Sequence, residues 1–301
     1  MTHRNAVWTM LLVTLLWSIA GVVSRHLEAA APFEVTFWRS AANAVALAVL
    51  LGWQRGWGPL WRTLRLGGRS LWASGLCWCV MFTSFMVALT LTTVANVLIT
   101  MSLAPLFTAL IARFALGHRL PRRTWAAIVL AGAGIAWMFG SQVAGGSARD
   151  LLGTLVALSV PVAGATMWTL LQHNARREAA ARTDMTPAVL IGALLSSVLT
   201  WPWALPFSAS GTDIALLVML GVVQLAIPCM LAVAAGKTLK APEASLLGLL
   251  EILFGVAWTW LGSSESPTPA VIGGGALVLV ALAGNEWLAL RERPAASAPA
   301  G

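Results

Sequence analysis

The feature that most constrains this chain is the recurrence, from one end to the other, of apolar blocks about twenty residues long with only short polar breaks between them. A bilayer core about 30 Å thick is crossed by about 20 helical residues, because each residue rises about 1.5 Å. The chain divides into ten such pieces, at approximately 6–25, 34–53, 71–91, 94–114, 122–140, 151–172, 186–206, 213–235, 242–262 and 269–288. The third and fourth are joined only around Thr92 and Thr93, which requires a tight helical hairpin. None of the breaks holds a soluble domain. The expected fold is therefore an all-α polytopic membrane protein with ten transmembrane helices. Composition agrees: 58% of the residues are hydrophobic and 10% charged, against about 25% charged in an ordinary soluble domain.

The first block begins after Arg4 in the manner of a secretory signal, but its apolar run reaches Ser24 and nine more blocks follow, so it is read as the first span. The net charge of +8 is spread over short loops. It forms no basic domain that could serve as a nucleic-acid face, and no nucleic-acid partner is expected. Membrane topology accounts for the charge instead, since basic loops are retained on the cytoplasmic side. With the N-terminus inside, sixteen of the nineteen Lys and Arg fall in inner segments. Arg25 and Arg149 fall outside, and Arg39 lies within a span. Both termini should therefore be cytoplasmic in a multi-pass protein. Seventeen Arg against two Lys suggest a GC-rich genome, hence a bacterial inner membrane.

Residues 102–114, SLAPLFTALIARF, and 249–261, LLEILFGVAWTWL, superpose at a constant shift of 147, close to half the chain. The same shift aligns Phe107 with Phe254, His118 with Glu265, and the small-residue run from Ala126 with Gly273, Gly274 and Gly275. Five helices per half is an odd number, so the second half should cross in the opposite sense, as in many secondary transporters. The expected organisation is a first five-helix repeat over 1–147 and a second, inverted repeat over 148–290. A disordered cytoplasmic tail over 291–301 completes one membrane domain.

These segments bear a family resemblance. The block from Leu103 through Met138, with Ala104-Pro105 followed by a hairpin and a small-residue helix, resembles the repeat unit of the drug/metabolite transporter superfamily, EamA-type branch. Leu250-Glu251-Ile252-Leu253-Phe254 followed by Gly262-Ser263-Ser264-Glu265 resembles that family's acidic ninth-helix motif and its loop glutamate. Trp17-Ser18 resembles the Trp-Gly of the first helix, and Arg39 the single arginine of the second. Two positions depart from the pattern: Ile252 stands where a proline usually follows the glutamate, and His118 replaces the loop glutamate of the first half. Within the superfamily, ten spans and an interior rich in Trp and Met are most similar to the aromatic amino-acid exporters. The resemblance implies a secondary transporter that exports aromatic or other apolar amino acids across the inner membrane by alternating access. A multidrug or other metabolite carrier of the same superfamily, or a non-transporting membrane assembly subunit, are the alternatives.

Individual residues sharpen this. Glu251 lies about 14 Å into the ninth span, where a carboxylate costs about 2.5–3.5 kcal/mol and must be neutralised, paired or facing water. It is either a substrate-amine contact and proton-coupling group or a hydrogen-bonded structural one. Arg39 enters about six residues from the outer face. It either snorkels and pairs structurally or holds a substrate carboxylate and gates access by locking Glu251. Asn96, Thr100, Ser102, Gln224 and Ser245 are interior polar groups able to bond an amino-acid backbone or to glue helices together. Pro105, Pro161 and Pro228 interrupt spans and free backbone carbonyls.

Trp17, Trp78, Phe82, Met86 and Met101 offer aromatic faces and adaptable thioethers for an apolar pocket. Trp17 stands out because most of the sixteen Trp sit at span ends as interface anchors, whereas Trp17 is near the middle of its span. Gly132 with Ala136, and Gly273 to Gly275, read as packing faces. The partners expected are thus a small-molecule substrate and the lipid bilayer, with monomer and homodimer both open.

Enzymatic chemistry finds no support. The four His lie at span ends or loops, no Gly-x-Ser-x-Gly occurs, and no phosphate-binding loop is present. Cys77, Cys79 and Cys229 all lie in apolar blocks as small hydrophobes. Neither metal nor cofactor is called for.

Overall fold

A computed structural model describes residues 1–24, 26–92, 94–117, 120–140, 147–176, 184–262 and 269–291. These form helices joined by short turns, and no strand occurs among them. In chain order they are α1 His3–Ser18, α2 Ala20–Ser24, α3 Pro32–Arg55, α4 Trp57–Leu66, α5 Gly68–Leu91, α6 Val94–Met101, α7 Ala104–Leu116, α8 Arg122–Phe139, α9 Ala148–Ala175 and α10 Pro187–Ala204. There follow α11 Gly211–Met219, a π-helical segment Leu220–Ala226, α12 Ile227–Ala235, α13 Ala241–Gly248, α14 Leu250–Gly262 and α15 Pro269–Arg291. His118, Glu265 and the tail beyond Arg291 lie outside the described residues.

Proline sets many of the starts. Pro32, Pro105, Pro187 and Pro242 each occupy a first-turn position, where the missing N–H has no helical partner to lose and the fixed φ suits the helix. Among the described residues, eight helical segments are long and apolar enough to cross a membrane, from His3–Ser24 through Ala241–Trp258. The protein is a multi-pass membrane protein. Side chains such as Val45, Val49, Leu76, Val129, Val198 and Leu199 are exposed, which suits lipid and would be costly in water.

Helices lie within a few residues of the expected positions, but four of those positions are not filled by a single α-helix. The first breaks at Ile19, between α1 and α2; the fourth breaks at Ser102 and Leu103, between α6 and α7; and the ninth breaks at Leu249, between α13 and α14. The eighth is continuous only through its π-helical segment. One element was not anticipated: α4, which occupies what reads in the sequence as a basic loop after α3.

Packing pairs the halves. α5 lies against α9 and α10, α10 also against α3, α7 against α9, α1 against α12 and α14, and α8 against α15. The α8–α15 contact is backbone-close: a Cβ on Gly274 would stand 2.4 Å from the carbonyl oxygen of Gly134, and one on Gly134 would stand 2.7 Å from that of Gly274. Gly132, expected on this face, has nothing within 4 Å of its Cβ position, so Gly134 takes that role. One large core cluster runs from Ala6 and Met10 through Trp78, Met167 and Leu225 to Leu250 and Val278.

Polar contacts gather the helix ends into two groups. At one end the Glu34 carboxylate, buried at the start of α3, accepts hydrogen bonds from the Ser208 and Ala209 amides, both at 3.0 Å. There Asp213 accepts from the Glu28 and Ala29 amides at 2.9 and 3.0 Å, and Arg149 donates to the Thr90 carbonyl at 2.8 Å. At the other end His3 contacts Glu243, Arg55 pairs with Asp184, the Ala241 amide donates to Gln172 at 3.1 Å, and Arg123 donates to the Leu288 carbonyl at 3.2 Å. Glu34 is therefore a clasp between loops, more than the interfacial charge its position suggests.

Candidate functional site

Arg39 lies about 10 Å along α3 from Pro32. It is 4% exposed. A guanidinium presents five N–H donors; here Nη1 donates to the Met86 sulfur at 3.4 Å, while Nε has no hydrogen-bond partner. Its charge interacts with Cys229 on α12 and Glu251 on α14. No ion pair within 4.0 Å joins Arg39 to Glu251. The backbone of α3 is pressed onto the eighth span at this level, where a Cβ on Gly221 would stand 2.6 Å from the Arg39 carbonyl oxygen.

The π-helical segment has a local cause. Pro228 lacks an N–H, and its ring opposes the carbonyl four residues earlier, that of Gln224. The preceding turn widens, and the Ile227 amide bonds to the Val222 carbonyl five residues back. Single π turns within α-helices frequently occur at functional sites. This one turns Gln224 inward, where Nε2 donates to the Trp17 carbonyl at 3.1 Å and Oε1 is left without a partner. Trp17 closes the last turn of α1, one residue before Ser18 ends it. Ser18 accepts from the Trp258 indole at 2.9 Å, which ties the break in the first span to α14. Cys229 lies against the Trp17 side chain.

Glu251 stands at the beginning of α14, two residues past the break. The break itself is made of tightened turns: the Leu249 amide bonds to Leu246 and the Ile252 amide to Leu249, each three residues back. Four of the residues picked out in the sequence, Trp17, Arg39, Gln224 and Glu251, thus converge from four different spans. Met86, Cys229 and Trp258 join them. Cys229 and Trp258 carry no sequence signal of their own, since a Cys in an apolar block reads as a small hydrophobe. The nearest hint was Pro228 beside Gln224.

The other candidates fall elsewhere. Trp78 and Phe82 pack against each other on α5, ring centroids 5.5 Å apart. Trp78 is also wedged onto α10, where a Cβ on Gly192 would stand 2.3 Å from the Trp78 Cβ. It is a packing residue there, although the same row of α5 reaches Met86 one turn after Phe82. Asn96 donates to Thr92 at 2.8 Å, and the Thr100 hydroxyl donates to the Asn96 carbonyl at 2.7 Å, so both bond within their own hairpin. Met101 packs with Ala88, Val97 and Ala157. Ser245 is buried on α13. Beside Arg39, Ser40 shares a hydroxyl bond with Ser196 at 3.0 Å, and Ser196 another with Thr83 at 2.9 Å, tying α3, α10 and α5.

Comparison with known proteins now has a geometry to meet. Residues 4–140 match the EamA-like transporter family. This EamA-like region carries Trp17, Arg39 and Met86, and its family consists of transporters, in keeping with the drug/metabolite transporter superfamily. No curated protein matches the chain in sequence. A crystal structure of a protein 21% identical superposes with a TM-score of 0.75, covering 97% of this chain and 100% of that chain. The EamA-like region and the half beyond it, with Gln224, Cys229 and Glu251, therefore share one known fold.

Proposed function

We propose that this protein is a secondary transporter of the bacterial inner membrane that exports small organic solutes, foremost aromatic or other apolar amino acids, by alternating access. The observation that carries the reading is the convergence around Arg39: a buried guanidinium with a free Nε, Glu251 within electrostatic reach but not in an ion pair, and Trp17 against Cys229, which interacts with both charges. A zwitterion with an aromatic side chain has a carboxylate for the first, an ammonium for the second and a ring for the third. In the absence of solute, attraction between Arg39 and Glu251 is available to close the site.

Ten spans follow if α8 and α15 are counted with the eight long apolar helices. Two features support an inverted repeat. The breaks after Met101 and after Gly248 are 147 residues apart, the shift at which the sequence superposes. The packing pairs also exchange under that operation: α1 with α14 corresponds to α9 with α7, and α3 with the eighth span corresponds to α10 with α5. Broken helices facing a central site are the means by which such carriers bind ions and charged solutes. On this reading both termini are cytoplasmic.

The test is uptake by proteoliposomes of a panel of labelled amino acids and cationic drugs, with and without a proton gradient. Saturable flux of aromatic amino acids is the expected result. Flux of the drugs alone would favour a multidrug carrier, and no flux of any solute would leave an assembly role.

A further inference from the structure

The helix α4 has no part in the site described above. It follows α3 after a sharp turn at Gly56, where φ is 83°, and lies at the end of the bundle where Arg55 pairs with Asp184. Leu60 is buried, and Leu64 packs onto the core. The rest of this corner faces outward. Trp53 is 83% exposed, Trp57 62% and Trp61 57%.

These rings are held in place without being covered. Trp57 lies over Gly52, whose Cβ would stand 2.7 Å from the indole, and Trp61 lies under the Arg65 guanidinium at 4.7 Å. Trp72 donates to the Leu64 carbonyl at 3.2 Å, tying α5 back to α4. Between Trp53 and Trp72 the sequence has four arginines and no acidic residue. Arg55 is matched by Asp184, which leaves Arg62, Arg65 and Arg69 exposed with no acidic partner among the described residues.

A short helix that presents large aromatics and unmatched arginines side by side on its exposed surface has the composition of an element lying in a membrane interface. Indoles prefer the headgroup level. Each arginine near an anionic bilayer surface contributes roughly fivefold to association. We infer that α4 and its flanks form a docking surface for acidic phospholipid headgroups. In this arrangement Arg62, Arg65 and Arg69 take lipid phosphates, while Trp53, Trp57 and Trp61 sit at the boundary of the acyl chains. Arg65 can do so from above Trp61, because a stacked guanidinium keeps its N–H edge free.

The test uses the full-length protein in phosphatidylcholine bilayers doped with spin-labelled phosphatidylglycerol or spin-labelled phosphatidylcholine, and compares their association constants. The wild type should favour phosphatidylglycerol by about threefold or more. The triple variant R62Q/R65Q/R69Q should bring the ratio near one, while R62K/R65K/R69K retains it. A second triple, R113Q/R122Q/R176Q, removes equal charge from exposed positions elsewhere and should leave most of the preference. A wild-type ratio of one, as expected if the patch serves a protein partner, overturns the proposal. So does equal loss in both glutamine triples, or a preference that survives R62Q/R65Q/R69Q.

Discussion

A guanidinium that is almost fully buried and has a nitrogen unpaired is expensive, and a purely structural role would be filled as well by an apolar side chain of similar volume. Arg39→Gln should therefore leave thermal stability unchanged or raised, while lowering uptake of a transported amino acid by about 10-fold to 100-fold, the equivalent of one or two charge-assisted bonds. Unchanged uptake with lowered stability would make Arg39 structural. Glu251→Gln keeps the shape and hydrogen bonding of the side chain but fixes it neutral. Solute binding should survive, and the dependence of flux on an imposed pH gradient should vanish; gradient-driven flux persisting in this variant would move coupling elsewhere. Trp17→Ala should alter selectivity without reducing membrane abundance, and identical kinetics for every solute would remove Trp17 from the site. Trp17 and Glu251 stood out in the sequence because an indole or a carboxylate at midplane depth has no anchoring explanation, and Arg39 because it falls within a span while the other Lys and Arg fall in loops or at span ends. Asn96 and Thr100 looked equally polar. Whether a hydroxyl turns to a solute or to its own helix carbonyl depends on rotamer and packing, and these two turn to backbone and neighbour.

At the scale of elements, apolar block length located the helices to within a few residues, but not their interiors. Pro228 announced a defect, yet the sequence does not say whether the turn before it kinks or widens into a π segment, because both leave the same proline without its hydrogen bond. The break at Leu249 has no proline near it to announce it, and its counterpart at Ser102 precedes Pro105. α4 was read as loop because ten residues with two arginines fall below any span threshold. The choice between Gly132 and Gly134 shows the same limit, since both are small and only the crossing angle of α8 and α15 selects one. Gly274→Ala forces a methyl to 2.4 Å from a backbone oxygen and should cost about 1–3 kcal/mol by overpacking. Gly132→Ala meets nothing and should be neutral or stabilising, by up to about 1 kcal/mol of helix propensity. Thermal melts of the purified protein in detergent decide this, and equal melting temperatures for the two variants would contradict the packing described.

For the whole molecule, the two polar ends carry the argument about sidedness. The loop after α2 and the loop before α11 are braced together by Glu34 and Asp213, and Arg149 at the start of α9 reaches the end of α5, so these termini share one end. The start of α1 meets the start of α13, and the end of α3 meets the start of α10. Near the start of α8, Thr124 donates to Asn285 near the end of α15 at 3.2 Å, so all of these share the opposite end. The second end is also the basic one, with Arg55, Arg62, Arg65, Arg69, Arg113, Arg122, Arg123, Arg176, Lys237 and Lys240. Basic segments are retained in the cytoplasm, so the end clasped by Glu34 and Asp213 should face outward and α15 should finish inside. A reporter fused after Arg149 should then read as external and one fused after Arg293 as cytoplasmic. The same side for both would mean an even number of crossings between them instead of five, and the inverted second half would have to be abandoned.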